Sequence, residues 1–349
     1  MRSILVLALA AATAARSIFP WQNANVSLPK TFKWTSTDAL VSPKKDSRNI
    51  AGIKDPSIIH YNNVYHVFAS TAQDAGYNLV YFNFTDISKA GAAPFYYLDQ
   101  SAIGTGYRAA PEVFYFEPQK LWYLIYQDGN AAYSTNKDIS NPAGWTAPKH
   151  FYSGTPKLIE DNLLIPQQGY WVDMFVICDD ANCHLFSSDD NGRLYRSQTP
   201  VSKFPEGMSD PVIAMSEPVK GDLFEASLVY NVGPSTYLLL VECIGAAPSS
   251  AGGVRYFRSW TASSIAGPWT PLAATEANPF LGAANVEFKG TKWTTSLSHG
   301  EIVRTEVNQR LKVTPCGMKF LYQGIDPNAS ASYNALPWKL GMATQVGGC

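Results

Sequence analysis

The sequence predicts an all-β protein folded as a five-bladed β-propeller. Three observations point there. Short apolar and aromatic runs recur as paired strands joined by tight turns. No segment after the N-terminal apolar run keeps a helical period over three turns. The strand groups return roughly every 50–60 residues, the spacing of four-stranded blades, and five of them fill the 349-residue chain. A sandwich would need fewer strands in a chain of this length.

The chain opens with Met1-Arg2-Ser3, an apolar run from Ile4 to Ala12, and an Ala12-Thr13-Ala14 cleavage pattern. This reads as a secretory signal peptide over residues 1–15, followed by an N-terminal extension over 16–31 and the propeller over 32–349. The run is too short to span a bilayer, and no later run qualifies. Secretion makes three sequons relevant: Asn25-Val26-Ser27, Asn83-Phe84-Thr85 and Asn328-Ala329-Ser330.

Phe32 to Ser36 alternates and reads as a lone first strand, able to complete the last blade and close the ring. The first full unit is Ser57 to Tyr61, a turn at Asn62-Asn63, then Val64 to Ser70 and Leu79 to Phe82. Pro56 has no backbone donor and belongs at a strand's start. It also holds Asp55 in an extended conformation, so an acid stands at the mouth of this hairpin. The second unit runs Ala110 to Phe116, turns at Glu117–Lys120, and continues as Leu121 to Tyr126 and Ala131 to Thr135. The third is Tyr170 to Ile177, Cys183 to Ser188, and a tight turn at Asp190-Asn191-Gly192 into Arg193 to Arg196. The fourth is Phe224 to Tyr230, Tyr237 to Val241 and Arg255 to Ser259. The fifth is Ala284 to Phe288, Trp293 to Glu301 and Met318 to Tyr322. No linker or second domain is expected after it.

A formal charge of −1 gives no basic excess, so nucleic acid is excluded as a partner class, and aromatics at 13% against charges at 16% suit aromatic-lined β surfaces. The five cysteines are Cys178, Cys183, Cys243, Cys316 and Cys349, so at least one lacks an intrachain partner. Cys178 and Cys183 flank a hairpin turn and could bridge across it. No second cysteine pair lies at zinc spacing. Cys243, inside an apolar strand, reads as a buried free thiol.

The innermost strand of each blade lines the axis of a propeller. Asp55, Asp173 and Glu225 lie on or at the mouth of the first apolar strand of units one, three and four. They would therefore converge on one axial pocket. Three crowded carboxylates push their pKa values apart, and separating an acid from a base in this way is what glycoside hydrolysis needs.

A family resemblance rests on Ile53–Ser57, Trp171-Val172-Asp173, Val176–Asp180, Ser187–Gly192, Phe224-Glu225-Ala226, Ser298–Glu301 and Tyr333–Trp338. Together these motifs resemble glycoside hydrolase family 62, secreted α-L-arabinofuranosidases acting on arabinoxylan. The resemblance runs from about Phe32 to the C-terminus, and its implied fold is again a five-bladed propeller. It implies that Asp55 is the general base that activates water. Glu225 is then the general acid that protonates the leaving oxygen, and Asp173 raises the pKa of Glu225 and orients it. The implied outcome is single displacement with inversion. Lys54, Tyr333 and Asn334 match sugar-contacting positions, and His299 matches an axial calcium-site histidine. No organic cofactor is implied.

Glu112 reads as a strand-end acid near the substrate channel. Tyr107, Trp122 and Trp145 could stack on sugar, although core packing is the commoner use of such residues. The expected partner is arabinoxylan, with arabinan or arabinoxylo-oligosaccharides as further candidates, and the expected state is a monomer outside the membrane. Two other readings stand beside this one: an arabinan- or xyloside-cleaving enzyme of a related five-bladed family, and a non-catalytic sugar-binding propeller.

Overall fold

The structure is a computed structural model and describes residues 28–165 and 168–347. The signal segment, most of the N-terminal extension, Asn25 and Cys349 lie outside the described residues. Five sheets of four or five strands, antiparallel except at one edge, succeed one another along the chain and give the expected five blades. Blade one is Gly52–Tyr61, Val64–Gln73, Gly76–Phe84 and Tyr96–Tyr97. Blade two is Ala109–Phe116, Leu121–Gln127, Ala131–Asn136 and Lys149–His150. Blade three is Val172–Cys178, Asn182–Ser188, Arg193–Pro200 and Val212–Ser216. Blade four is Glu225–Gly233, Thr236–Ile244, Arg255–Ala262 and Thr270–Pro271.

Blade five closes the ring and departs from the expected order. Its innermost strand is Ser298–Ile302, followed outward by Lys319–Gly324, Lys339–Gln345 and the N-terminal Trp34–Ser36. Trp34–Ser36 runs antiparallel to Lys339–Gln345, with Trp34 opposite Gln345. Val286–Phe288, expected to open this unit, is instead its outer edge and pairs parallel to Trp34–Ser36. Residues 293–297, expected to be strand, are not. Lys339–Gln345 escaped the sequence reading because Gly341 and Ala343 interrupt its apolar alternation. The seam is held by Trp34, which is buried and donates from Nε1 to Phe280 O at 2.6 Å.

Every inner strand slips its register at the same depth: between Lys54 and Ser57, Ala109 and Glu112, Val172 and Phe175, Glu225 and Leu228, and Ser298 and Gly300. Asp55, Ala110, Asp173 and Ala226 sit at these bulges with φ of 48°, 49°, 58° and 51°. Asp55 is thus left-handed and not extended as expected, and Pro56 lies at a bulge inside its strand and not at its start. A bulge re-aims side chains, and left-handed backbone at a non-glycine residue is strained unless its surroundings hold it. Here the holding groups come from neighbouring side chains. Asp55 N donates to Gln323 Oε1, Ala110 N to Ser70 Oγ, Asp173 N to Gln127 Oε1 and His299 N to Glu242 Oε2. Each of these acceptors lies on the second strand of the preceding blade. Blade four differs: Ala226 N donates to Asp173 Oδ2.

Below the bulges the axis is filled. Glu301 Oε2 accepts from Ser57 Oγ and Ile58 N, and Glu112 Oε2 accepts from Val176 N. The segment after the inner strand of blade five then crosses the channel. Arg304 donates to Val113 O and pairs with Glu301, and Val307, Gln309 and Leu311 offer carbonyls to blades two, three and four. One end of the axis is thus plugged and the other is open. Cys178 and Cys183 are joined across their hairpin, Cys316 is also disulfide-bonded, and Cys243 is a buried free thiol.

Candidate active site

The open end holds a pocket of about 540 Å³. Asp55, Asp173 and Glu225 all line it, as do Lys54, His299, Tyr333 and Asn334. Residues from the ends and the middle of the chain meet there because each inner strand delivers its bulge to the same height.

Asp55 and Glu225 come from blades one and four, which are not neighbours in the ring. They therefore approach the pocket from different sides. Asp173, from blade three, sits beside Glu225, and its carboxylate tethers the backbone of the next residue through the 2.7 Å bond from Ala226 N. Burial, together with Glu225 and Asp55, raises the Asp173 carboxyl to about 7, against the opposing pull of His299.

His299 lies between two of the acids, with Nδ1 at 3.5 Å from Asp55 Oδ1 and 3.6 Å from Asp173 Oδ2. Burial alone would lower its pKa, but Asp173 and Asp55 outweigh burial and raise it. Lys54 is buried, and its Nζ stands 4.9 Å from the centroid of the Tyr333 ring and 5.1 Å from that of Tyr77. Such a cation–π cage fixes the ammonium without neutralising it.

Glu112 is not in this pocket. It aligns with Ser57, not with Asp55, and sits beneath the pocket floor, buried and bonded to Val176 N. Its burial raises its pKa well above the ordinary value. Blade two offers Ala109 and Ala110 at the level where blades one and three carry acids. Trp122 and Trp145 are core residues, whereas Tyr107 is 43% exposed, lines the pocket and accepts from Gln127 Nε2.

The sequence reading missed four groups that matter electrostatically. Arg255 Nη1 lies 3.4 Å from Glu225 Oε1 and 3.5 Å from Glu242 Oε1, with its guanidinium over the Phe224 ring. Glu242, wholly buried behind Glu225, is raised to about 7 by burial and by Glu225. Asp190 lines the pocket, and Tyr77 faces Lys54. The available signals were weak: an arginine at the head of an aromatic-rich strand, and two consecutive acids in a turn that needs only one as its cap.

Among the described residues, no group of three or more His, Cys, Asp or Glu side chains has metal-holding geometry. His299 and Asp173 do separate the open pocket from a small axial cavity of about 10 Å³, room for about one water. Glu112 Oε1 and Ser227 Oγ line that cavity without a hydrogen-bond partner among the described residues. Such oxygens fit water or a hydrated hard cation anchored by a single imidazole, rather than a shell built from side chains.

Comparison with known proteins agrees with this geometry. The family model described as glycosyl hydrolase family 62 matches residues 33–344. Alpha-L-arabinofuranosidase C of Cellvibrio japonicus is 41% identical over 326 residues, covering 93% of this chain and 48% of that protein. The chain thus spans about half the length of this curated relative. An α-L-arabinofuranosidase from Podospora anserina, solved in complex with cellotriose, is 61% identical with a TM-score of 0.89, covering 92% of this chain and 99% of that one. A family 62 hydrolase solved in complex with xylotriose is 58% identical with a TM-score of 0.87, covering 91% and 98%.

Proposed function

The chain belongs to glycosyl hydrolase family 62, and from that premise we propose that it is a secreted, monomeric α-L-arabinofuranosidase. In this reading it removes arabinofuranose side chains from arabinoxylan by single displacement with inversion. The observation that carries the proposal is the convergence of Asp55, Asp173 and Glu225, from three blades, on one pocket that also holds Lys54, Arg255 and Tyr333. The named activity of the relatives supports the sugar, and the xylotriose complex of one of them supports the backbone polysaccharide.

Asp55 takes the proton of a water that attacks the anomeric carbon, and Glu225 gives a proton to the departing xylan oxygen. Inverting enzymes keep the two carboxyls about 6.5–9.5 Å apart so that water fits. Entry from non-adjacent blades accords with such a separation. As Glu225 ionises, the Arg255 guanidinium beside it takes up the new charge. Asp173 positions Glu225 through Ala226, and its charge acts on the same site. Lys54, Tyr333 and Asn334 hold the sugar.

His299, with water, would hold a hydrated calcium ion beneath the acids, where a fixed positive charge would support the pocket. Secretion accords with the Cys178–Cys183 disulfide, since such bonds persist in oxidising compartments. It also accords with exposure of the sequon residues Asn83 and Asn328. One chain completes the pocket, so a second copy is not required.

The test is incubation with wheat arabinoxylan, followed by proton NMR of the first sugar released. The proposal expects arabinose, initially as the β-anomer. Release of xylose or arabino-oligosaccharides would favour a different substrate, no release would favour a binding protein, and initial α-anomer would overturn inversion.

A further inference from the structure

Asp190 has no role in the chemistry described so far, and its surroundings are unusual. It follows Asp189, whose fully buried carboxylate already caps the turn by accepting from Asn191 N, Arg193 N and Tyr195 OH. Asp190 is thus not needed as a cap. It adopts φ 53°, which is strained for a residue with a side chain. The turn that forces this conformation is tightly buttressed. Gly169, where a Cβ would come within 2.1 Å of Asp189 O, packs against it, and Tyr170 N donates to Asp189 O. The result is a carboxyl held into the catalytic pocket.

Its Oδ1 is buried, and no donor among the described residues reaches it. Glu225 lines the same pocket, and after burial its carboxyl is the first of the charges that push Asp190 up. Two ionised carboxylates have only acceptors to offer each other. A hydrogen bond between them forms only when one of them carries a proton. The geometry points to Asp190 as a positioning residue that shares one proton with Glu225 and so keeps the acid loaded and aimed at the leaving oxygen. This rests on the reading of Glu225 as the acid.

In the reaction the shared proton passes through Glu225 to the leaving oxygen as the glycosidic bond breaks. Both carboxylates are then ionised beside Arg255. Asp55 has meanwhile taken a proton from the attacking water. Asp55 releases that proton to solvent and the pair takes one up, which restores the starting state. Asp190 is raised well above the ordinary carboxylate range by burial and then by Glu225 and Asp173, with Arg255 opposing. The remaining charged groups of the pocket are Lys54, Asp55 and His299. On its own turn, Asp189 and Arg193 pair with each other.

The experiment is a pH–rate profile of kcat/KM for the full-length enzyme, Asp190→Asn and Glu225→Gln. Each is assayed on arabinoxylan and on a nitrophenyl arabinofuranoside. Asparagine tolerates the left-handed backbone and keeps the shape while removing the shareable charge. The expected result for Asp190→Asn is a loss of about tenfold or more on arabinoxylan, part of the ~10²–10⁴ that an acid supplies. The loss on the aryl substrate should be much smaller, and the alkaline limb should move to lower pH. Equal rises in KM on both substrates with an unmoved profile would overturn the proposal and make Asp190 a sugar contact. So would behaviour like the wild type while Glu225→Gln is crippled on arabinoxylan. If Glu225→Gln keeps its arabinoxylan activity, it is the acid assignment itself that fails. Should Asp190→Asn not fold, Asp190→Gly suits the same φ and gives the same readout.

Discussion

Asp173 Oδ2 accepts a 2.7 Å hydrogen bond from the backbone N–H of Ala226, so a carboxylate of blade three fixes the position of the residue that follows Glu225 in blade four. In the other blades this bond to the bulge comes from a neutral side chain or, in blade five, from Glu242. Asp173 therefore joins two tasks, and asparagine can perform only the first. Asp173→Asn should fold, because an amide oxygen still accepts from Ala226 N. It should lose about 10²-fold or more in kcat, with the alkaline limb of its residual activity moved to lower pH. A near-normal rate on an unchanged profile would reduce Asp173 to a structural acid.

The acid and the base separate by leaving group. Protonation helps a sugar hydroxyl depart far more than it helps nitrophenolate. Glu225→Ala should be crippled on arabinoxylan, by about 10²–10⁴-fold, and far less impaired on an aryl arabinofuranoside. Asp55→Ala should fail on both, since both need activated water. Equal losses for a folded Glu225→Ala would remove it as the acid. Asp190 would then be the carboxyl to test, since Glu112 lies below the floor.

Thermal stability should fall as pH rises from 6.5 to 8.5. Burial heads the causes that raise Asp173 and Glu242 to about 7 and hold Glu112 and Asp190 well above their ordinary values. These groups bind protons in the folded state that the unfolded chain has already lost, so the slope of stability against pH is negative. His299, raised by its acid partners, adds to this: its contribution is present below about 6.5 and lost as pH passes its folded value. His66 and His184 are lowered by burial and act the other way, but at lower pH. Melting curves in matched ionic strength check the sign, and a rise in melting temperature over this interval would contradict it.

Chelation should lower the melting temperature or leave it unaltered while activity at moderate temperature is largely retained, because no proton transfer is assigned to a metal. Immediate loss of turnover in a fully folded protein, reversed by calcium, would show the cation to be part of the chemistry.

Gly300→Ala should be destabilising by about 1–3 kcal/mol or more. Its Cβ would fall 2.0 Å from Leu321 O and 2.7 Å from Phe320 Cε1, both fixed in the blade beside the axis. Urea denaturation gives the number, and a change under about 0.5 kcal/mol would mean that the blade yields more easily than its packing indicates.

Strand identity, blade count and the convergence of Asp55, Asp173 and Glu225 were legible because they depend on local properties. Period-two alternation, turn residues and the spacing of repeats are written into the chain. A propeller places equivalent positions of successive repeats on one axis, so sequence register became spatial proximity. Glu112 was misplaced because the register was counted from strand starts, whereas the inner strand of blade one begins two residues further ahead of its bulge than that of blade two. The inner strand of blade five was misassigned because the closing blade mixes both ends of the chain, and no local pattern announces a parallel edge strand such as Val286–Phe288.

The sequence alone therefore determined an all-β, five-bladed scaffold with an acid trio at its axis, since repeat period and hydrophobic pattern act over a few residues at a time. Only the tertiary structure decided which polar groups oppose one another. Arg255 meets Glu225 from the third strand of the same blade, Asp190 joins the pocket of Glu225 from a turn in the adjacent one, and His299 stands between Asp55 and Asp173. Where each proton resides follows from burial and from charges a few ångströms away, and those distances exist only once the ring has closed.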